Sequence, residues 1–153
     1  MHETEALHIR RLTAEDLEPL HRLLSDPAVM RYLEPPFTRA QTEAFLQKAG
    51  MGREPLIRAV EDGRGFAGYV IYHPYDETSM ELGWVLASDR WGRGYALALT
   101  RQMICLARES GRDAVIECHP QQAATRHIAE KLGFRPCGMD GGCCVYRLAG
   151  KNE

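Results

Sequence analysis

The sequence predicts an α/β or α+β sandwich built on a mixed sheet, and three observations carry that expectation. Short β-prone runs crowd the middle of the chain, with turn formers between them. Apolar spacing of helical period appears before and after that middle. The last third then alternates helix and strand, as a βαβ unit does. At 153 residues the chain is predicted to be a single domain over residues 1–153, long enough to remove roughly 68–70% of its unfolded surface from water without disulfides.

Leu7 and Ile9 alternate with His8 and Arg10, which is the period of a half-buried strand. Thr13 opens "TAEDLEPLHRLL", where Thr13 and Asp16 approximate a capping box and Leu17, Leu20 and Leu24 share one helical face. In "SDPAVMRYL", Asp26 suits a cap and Pro27 a first helical position. Thr38 and Gln41 repeat the capping logic in "TRAQTEAFLQKAG", with Phe45 and Leu46 buried and Gly50 ending the helix.

The runs "PLIRAV", "GFAGYVIYH" and "MELGWVL" are separated by "EDGRG" and "PYDETS", which predicts an antiparallel meander. A helix from Tyr95 to Ser110 stopped by Gly111 follows, then the strand "AVIEC", a helix in "QQAATRHIAEKL" stopped by Gly133, and strands near "FRPCG" and "CCVYRL". The chain holds no internal repeat, low-complexity tract or linker.

Several classes fall away on composition. A formal net charge of −2 lacks the basic excess of a dedicated nucleic-acid binder. The opening "MHETEALHIRRL" has early acids and no apolar signal core, and no run approaches the ~18 apolar residues of a membrane span, so a cytoplasmic address is expected, with neither nucleic acid nor membrane as partner. Five cysteines (Cys105, Cys118, Cys137, Cys143, Cys144) include no C-x-x-C pair, so they read as reduced thiols and no metal is expected. Cys118 and His119 with Cys137 and Cys143 are the alternative ligand set. Of the adjacent Cys143 and Cys144, strand alternation turns one inward and one outward.

The stretch "ELGWVLASDRWGRGYALALTRQMICLA", Glu81 to Ala107, carries the chemistry. A strand runs into a turn with Gly92 and Gly94 and resumes as an apolar helix. Such a turn aims backbone N–H groups into one concavity with the positive end of a helix dipole behind them, a nest for phosphates. Glycine permits positive φ and close approach by an anion, while Arg90 and Arg93 offer charge-assisted hydrogen bonds. A plain strand-to-helix turn with solvated arginines is the alternative. A dinucleotide fingerprint also fits Gly92-Arg93-Gly94 with acidic Glu117 after the next strand, but Leu97 holds the third glycine position and a meander precedes. No P-loop motif occurs.

"WGRGYA" resembles the acyl-CoA loop of the GCN5-related N-acetyltransferases (GNAT), in the form of the RimJ/RimL-like ribosomal-protein acetyltransferases. "HPQQAATRHIAEKLGF" is similar to the family's stretch in which Asn-x-x-Ser leads into a helix ending Glu-Lys-Leu-Gly-Phe, here Glu130 to Phe134. "SDPAVMRYLEPP" resembles the acceptor-side helices and "GFAGYVIYH" the third strand. The likeness covers nearly the whole chain, with the loop and "EKLGF" its specific parts.

That resemblance implies a mostly antiparallel central sheet with helices on both faces, strands "MELGWVL" and "AVIEC" splayed around a pantetheine arm, and acetyl-CoA as cosubstrate. It implies pyrophosphate binding by the amides of Gly92, Arg93, Gly94, Tyr95, Ala96 and Leu97, and backbone contacts from Trp84, Val85 and Leu86, with an N–H near Val85 on the oxyanion. Trp91 stands where the general pattern has Gln or Arg. Gln122 and Thr125 replace the Asn and Ser and keep their hydrogen-bonding capacity. Ala129 falls where many members place a general-acid Tyr, which leaves that proton unassigned.

The reaction implied is acetyl transfer to a primary amine, a protein N-terminal α-amine or a small-molecule amine, by direct attack in a ternary complex. Making the amine neutral at pH 7 costs about 4.6 kcal/mol for a lysine-like group and about 1.4 kcal/mol for an α-amine, so a base is useful. Glu81, at the start of the strand whose far end meets the loop, is the first candidate, and Glu117 in "AVIEC" the second; His73 and His119 follow. Thr125 is the candidate partner of the thiol. Nothing in the sequence activates Cys118 as a nucleophile. Arg31, Tyr32 and Phe37 are expected to wall the acceptor cleft, and either a monomer or a homodimer is compatible. An acyl-CoA-binding module without turnover is the competing function, and a small NAD(P)-binding protein the next.

Overall fold

The structure, a computed structural model, describes residues 6–150. The opening acids of "MHETE" lie outside the described residues. In chain order the elements are β1 (His8–Arg10), α1 (Leu17–Leu24), α2 (Pro27–Met30), α3 (Arg39–Phe45), β2 (Ile57–Asp62), β3 (Gly65–Asp76), β4 (Ser79–Leu86), α4 (Tyr95–Glu109), β5 (Asp113–Cys118), α5 (Ala123–Lys131), β6 (Arg135–Asp140) and β7 (Cys143–Leu148). They form a mixed α/β fold whose seven strands lie in the order β1-β2-β3-β4-β5-β7-β6. β4 and β5 run parallel. β1–β2, β2–β3, β5–β7 and β6–β7 are antiparallel, so the sheet is mostly of that kind.

The described residues gather into two compact units. One takes the residues up to Ile71 together with Trp84–Tyr95, the other Tyr72–Gly83 and the residues from Ala96 onward. In the first, Leu12, Leu20, Leu24, Met30, Leu46 and Tyr69 belong to one apolar core. The expected helical face of α1 holds and is wider by one residue: Leu20 and Leu24 are buried, Leu17 packs partly buried against the core, and Leu23 joins them. In the second unit, Leu99, Met103, Val115, Ile116, Phe134 and Tyr146 are buried.

Local signals set the helix starts. The Asp16 carboxylate accepts the Thr13 N–H at 2.8 Å, the Asp26 side chain accepts the Ala28 N–H at 2.9 Å ahead of Pro27, and Thr38 and Gln41 form a reciprocal box. The first of these opens as a 3₁₀ turn over Ala14–Asp16 before α1 begins. Gly50 needs a different account from the one the sequence offered. It does not take a positive φ, and α3 runs into a π-helical turn over Leu46–Gly50. A Cβ at Gly50 would meet Leu12 Cδ1 at 2.7 Å and Leu12 Cβ at 3.3 Å, so a larger residue there would oblige Leu12 to shift.

"PYDETS" is the larger departure. β3 continues through Pro74, Tyr75 and Asp76, and only Glu77 and Thr78 remain as the connection. Asp76 explains the tightness, because its Oδ1 accepts the Thr78 N–H at 2.9 Å and the Ser79 hydroxyl at 2.7 Å. Among the described residues no helix is long and apolar enough to cross a membrane.

Candidate active site

The loop after β4 is a short 3₁₀ turn, Ser88–Arg90, followed by residues 91–94, all exposed, and then by α4. Gly92 has φ +75° and Gly94 φ +80°, a region that costs other residues roughly 1–2 kcal/mol. A Cβ at either glycine would meet no atom within 4 Å, so open space lies above the turn. α4 starts at Tyr95 and runs for 15 residues, which leaves its first amide N–H groups without intrahelical acceptors at the end of that turn.

Asp62, the last residue of β2, fixes the loop. Its carboxylate accepts Arg90 Nε at 2.8 Å and Arg90 Nη2 at 3.1 Å, the Tyr95 hydroxyl at 2.8 Å and the Arg64 N–H at 2.9 Å. The Asp62 side chain is fully buried, and the Arg90 guanidinium beside it holds the acid well below the usual carboxylate range. Arg90 Nη1 donates to Asp89 at 3.0 Å. All three guanidinium nitrogens of Arg90 thus bond to carboxylates, and the residue expected to reach phosphates holds the protein to itself. Arg93 is exposed in the turn.

The neighbouring backbone is also committed in part. Trp91 is 51% exposed, yet its indole N–H donates to the Leu86 carbonyl at 3.0 Å. Val85 and Leu86 are buried and Trp84 half-buried. The Ala87 N–H donates to Ala67 O at 2.9 Å, and Val85 O stands 2.1 Å from where a Gly68 Cβ would sit. Val85 and Ala87 therefore face β3, and strand alternation turns the N–H groups of Trp84 and Leu86 the other way. Both of those N–H groups flank Val85, where the oxyanion donor is expected.

A second cluster forms in the other unit. Glu81 pairs in register with Val115, and Glu117 lies two residues further along β5, so both acids share a face of the sheet. His73 and Tyr75 on β3 reach the same place. Tyr75 OH donates to Glu117 Oε2 at 2.6 Å, and His73 Nε2 lies 3.8 Å from Glu81 Oε1. The His73 Nδ1–H donates to the Pro74 carbonyl at 2.9 Å, which aims Nε2 at Glu81. Burial raises the Glu81 carboxyl above the ordinary range; His73 opposes the shift and Glu117 adds to it. Glu117 pushes the Tyr75 phenol up to about 12. Neither Tyr75 nor Asp62 was legible beforehand, because both sit in stretches dense with turn formers.

On α5, Thr125 is half-buried and Ala129 fully buried. Gln122 Oε1 accepts the His119 N–H at 2.8 Å while the Gln122 N–H returns to His119 O at 2.9 Å, so the carboxamide NH₂ is what that side chain has left to offer. His119 Nδ1 accepts the Gln121 N–H. Burial pushes the Cys118 thiol up to about 11, which keeps it protonated and poor as a nucleophile. Cys143 and Cys144 are both half-buried in β7. Among the described residues no group of three or more His, Cys, Asp or Glu side chains is placed to hold a metal ion. Arg31 is exposed and stacks over the half-buried Tyr32 ring at 5.1 Å. Phe37 packs edge-on against Phe45, with centroids 5.8 Å apart.

The arrangement is a mixed, mostly antiparallel α/β sheet with a glycine turn opening a helix directly after a central strand, and comparison with known proteins shows the family to which it belongs. The sequence profile described as "Acetyltransferase (GNAT) domain" matches residues 6–135, and the chain belongs to that family. It is 26% identical over 145 residues to the uncharacterized N-acetyltransferase YnaD of Bacillus subtilis, covering 92% of this chain and 85% of that one. An acetyltransferase of the GNAT family from Bacillus anthracis superposes with a TM-score of 0.80 at 25% identity, over 97% of both chains. Spermidine N-acetyltransferase from Vibrio cholerae, solved with CoA and spermine, shares the fold with a TM-score of 0.74 at 22% identity over 92% of both chains. The chain is an N-acetyltransferase of a family that uses acetyl-CoA.

Proposed function

We propose that the protein moves an acetyl group from acetyl-CoA to a primary amine by direct attack in a ternary complex. The observation that carries this reading is the exposed turn in which Gly92 and Gly94 take positive φ immediately ahead of the N-terminus of α4. The amides of residues 92–97 bind the diphosphate, Arg93 adds a charge, and the N–H groups of Trp84 and Leu86 serve the pantetheine and the oxyanion. The "WGRGYA" loop supports a RimJ/RimL-like place within the family.

Glu81 is the base in this reading. Its carboxylate removes the proton from the acceptor ammonium and the neutral amine attacks the thioester carbonyl; as the C–S bond breaks, the nitrogen loses its second proton, which passes through water to the departing sulfur and gives the amide and coenzyme A as thiol. The raised Glu81 acid and the His73 imidazole aimed at it suit that transfer. Glu117, held by the Tyr75 hydroxyl, lies on the same face of the sheet, and Thr125 serves the thiol side. Arg31, Tyr32 and Phe37 line the acceptor's approach. α2 has four residues and α3 seven, a short acceptor side that favours a small-molecule amine over a large protein.

Acetyl-CoA, and not NADH, is expected to raise the melting temperature, with thiol release appearing when an amine panel is added. Gly94→Val, which strains the turn and fills the space above it, is expected to keep a cooperative melt and lose the acetyl-CoA shift. Unaltered acetyl-CoA binding by that variant would move the nest elsewhere. A shift without thiol release for any amine would leave a binding module.

A further inference from the structure

We propose that Asp62 is a positioning residue for diphosphate binding, holding the two ends of the glycine turn through one buried carboxylate. The proposal rests on the acetyl-CoA reading above and concerns how the turn acquires its shape. Residues 91–94 are exposed and a Cβ at either glycine would touch nothing, so beyond the Trp91 indole bond to Leu86 O the turn has little packing of its own. A four-residue segment of this kind explores many conformations unless its ends are fixed.

The ends are fixed by the same side chain. Arg90 immediately precedes the segment and binds Asp62 through Nε and Nη2, while Tyr95 immediately follows it and donates its hydroxyl to Asp62 Oδ2. Arg90 and Tyr95 are 7% and 3% exposed, so water competes little for these bonds. The Arg64 N–H supplies a further donor to the carboxylate, tying it to the β2–β3 turn. Asp62 touches no phosphate in this account. It acts through Arg90 and Tyr95, lowering the ordering cost that the ligand would otherwise bear.

Calorimetric titration of coenzyme A and of pantetheine, which lacks the diphosphate, tests the assignment on wild type and Tyr95→Phe. Tyr95→Phe removes only the hydroxyl from the clamp and keeps the ring. Its Kd for coenzyme A is expected to rise about tenfold, the size of one lost hydrogen bond to a charged acceptor, with KM for acetyl-CoA following and kcat within about twofold. Pantetheine affinity is expected to stay at the wild-type value, a selectivity that a general loosening of the fold would not produce. Asp62→Asn is expected to show the same pattern more strongly; where it fails to fold, Tyr95→Phe still decides. Unchanged coenzyme A affinity in Tyr95→Phe, or an equal loss for pantetheine, overturns the proposal. A wild-type protein that ignores coenzyme A overturns the acetyl-CoA reading first, and this one with it.

Discussion

Glu81 is the residue whose environment most affects the chemistry expected here. Burial lifts its acid form above the ordinary range, so the folded chain holds that proton more tightly than the unfolded chain does. Folded stability from this group is greatest below the unfolded value and declines as pH rises toward the folded one. Glu81→Gln is therefore expected to raise the melting temperature at neutral pH and cut turnover, with little change in acyl-CoA affinity. The wild-type rate should climb with pH through the Glu81 titration, and the variant should lose that limb; an identical pH–rate profile removes Glu81 from the reaction.

Asp16 has the opposite sign. Arg10 donates to it at 2.8 and 2.9 Å and lowers its acid, so its stabilisation is present above the unfolded value and lost as pH falls through the folded one. Asp16→Asn is expected to cost roughly 2 kcal/mol at pH 7, less than a fully buried pair because Arg10 is partly exposed, and the gap should close on acidification in urea melts. The sequence identified Asp16 as a cap and Glu81 as an acid. It could not show the partners, which come from β1 and β3.

Helix starts were legible because their causes lie within four residues: Asp26 before Pro27, and Thr38 with Gln41, act where the sequence placed them. Strand limits were less so. Pro74 and Tyr75 read as turn residues, yet β3 carries through them, because Asp76 closes the connection to β4 within two residues through Thr78 and Ser79. Gly68 shows the same dependence on a distant segment: its φ is +147°, and a Cβ there would stand 2.1 Å from Val85 O. Gly68→Ala is expected to destabilise the protein by about 3–4 kcal/mol, read as a lower urea midpoint at unchanged m. A midpoint within experimental error of wild type would mean that β3 and β4 yield there at little cost.

Over the whole molecule, composition and the alternation of strand and helix predicted the fold class, and the loop with "EKLGF" predicted the family. The order β5-β7-β6 was not legible, because hydrophobic period says which residues are buried but not which strand lies beside which. The candidate site divides similarly. The glycine turn is a local motif and was readable; the Asp62 clamp joins positions 28 and 33 residues apart, a pairing that only the folded chain brings about.

The thiols have a practical consequence. Cys105 and Cys137 are exposed, whereas Cys118 is buried and the remaining two are half-covered. Aerated solutions should thus accumulate covalent pairs of chains through those two sulfurs, visible as a band near twice 17.3 kDa on a gel run without reductant. Replacing both by serine should abolish that band. The same two atoms are natural handles for attaching a spectroscopic probe.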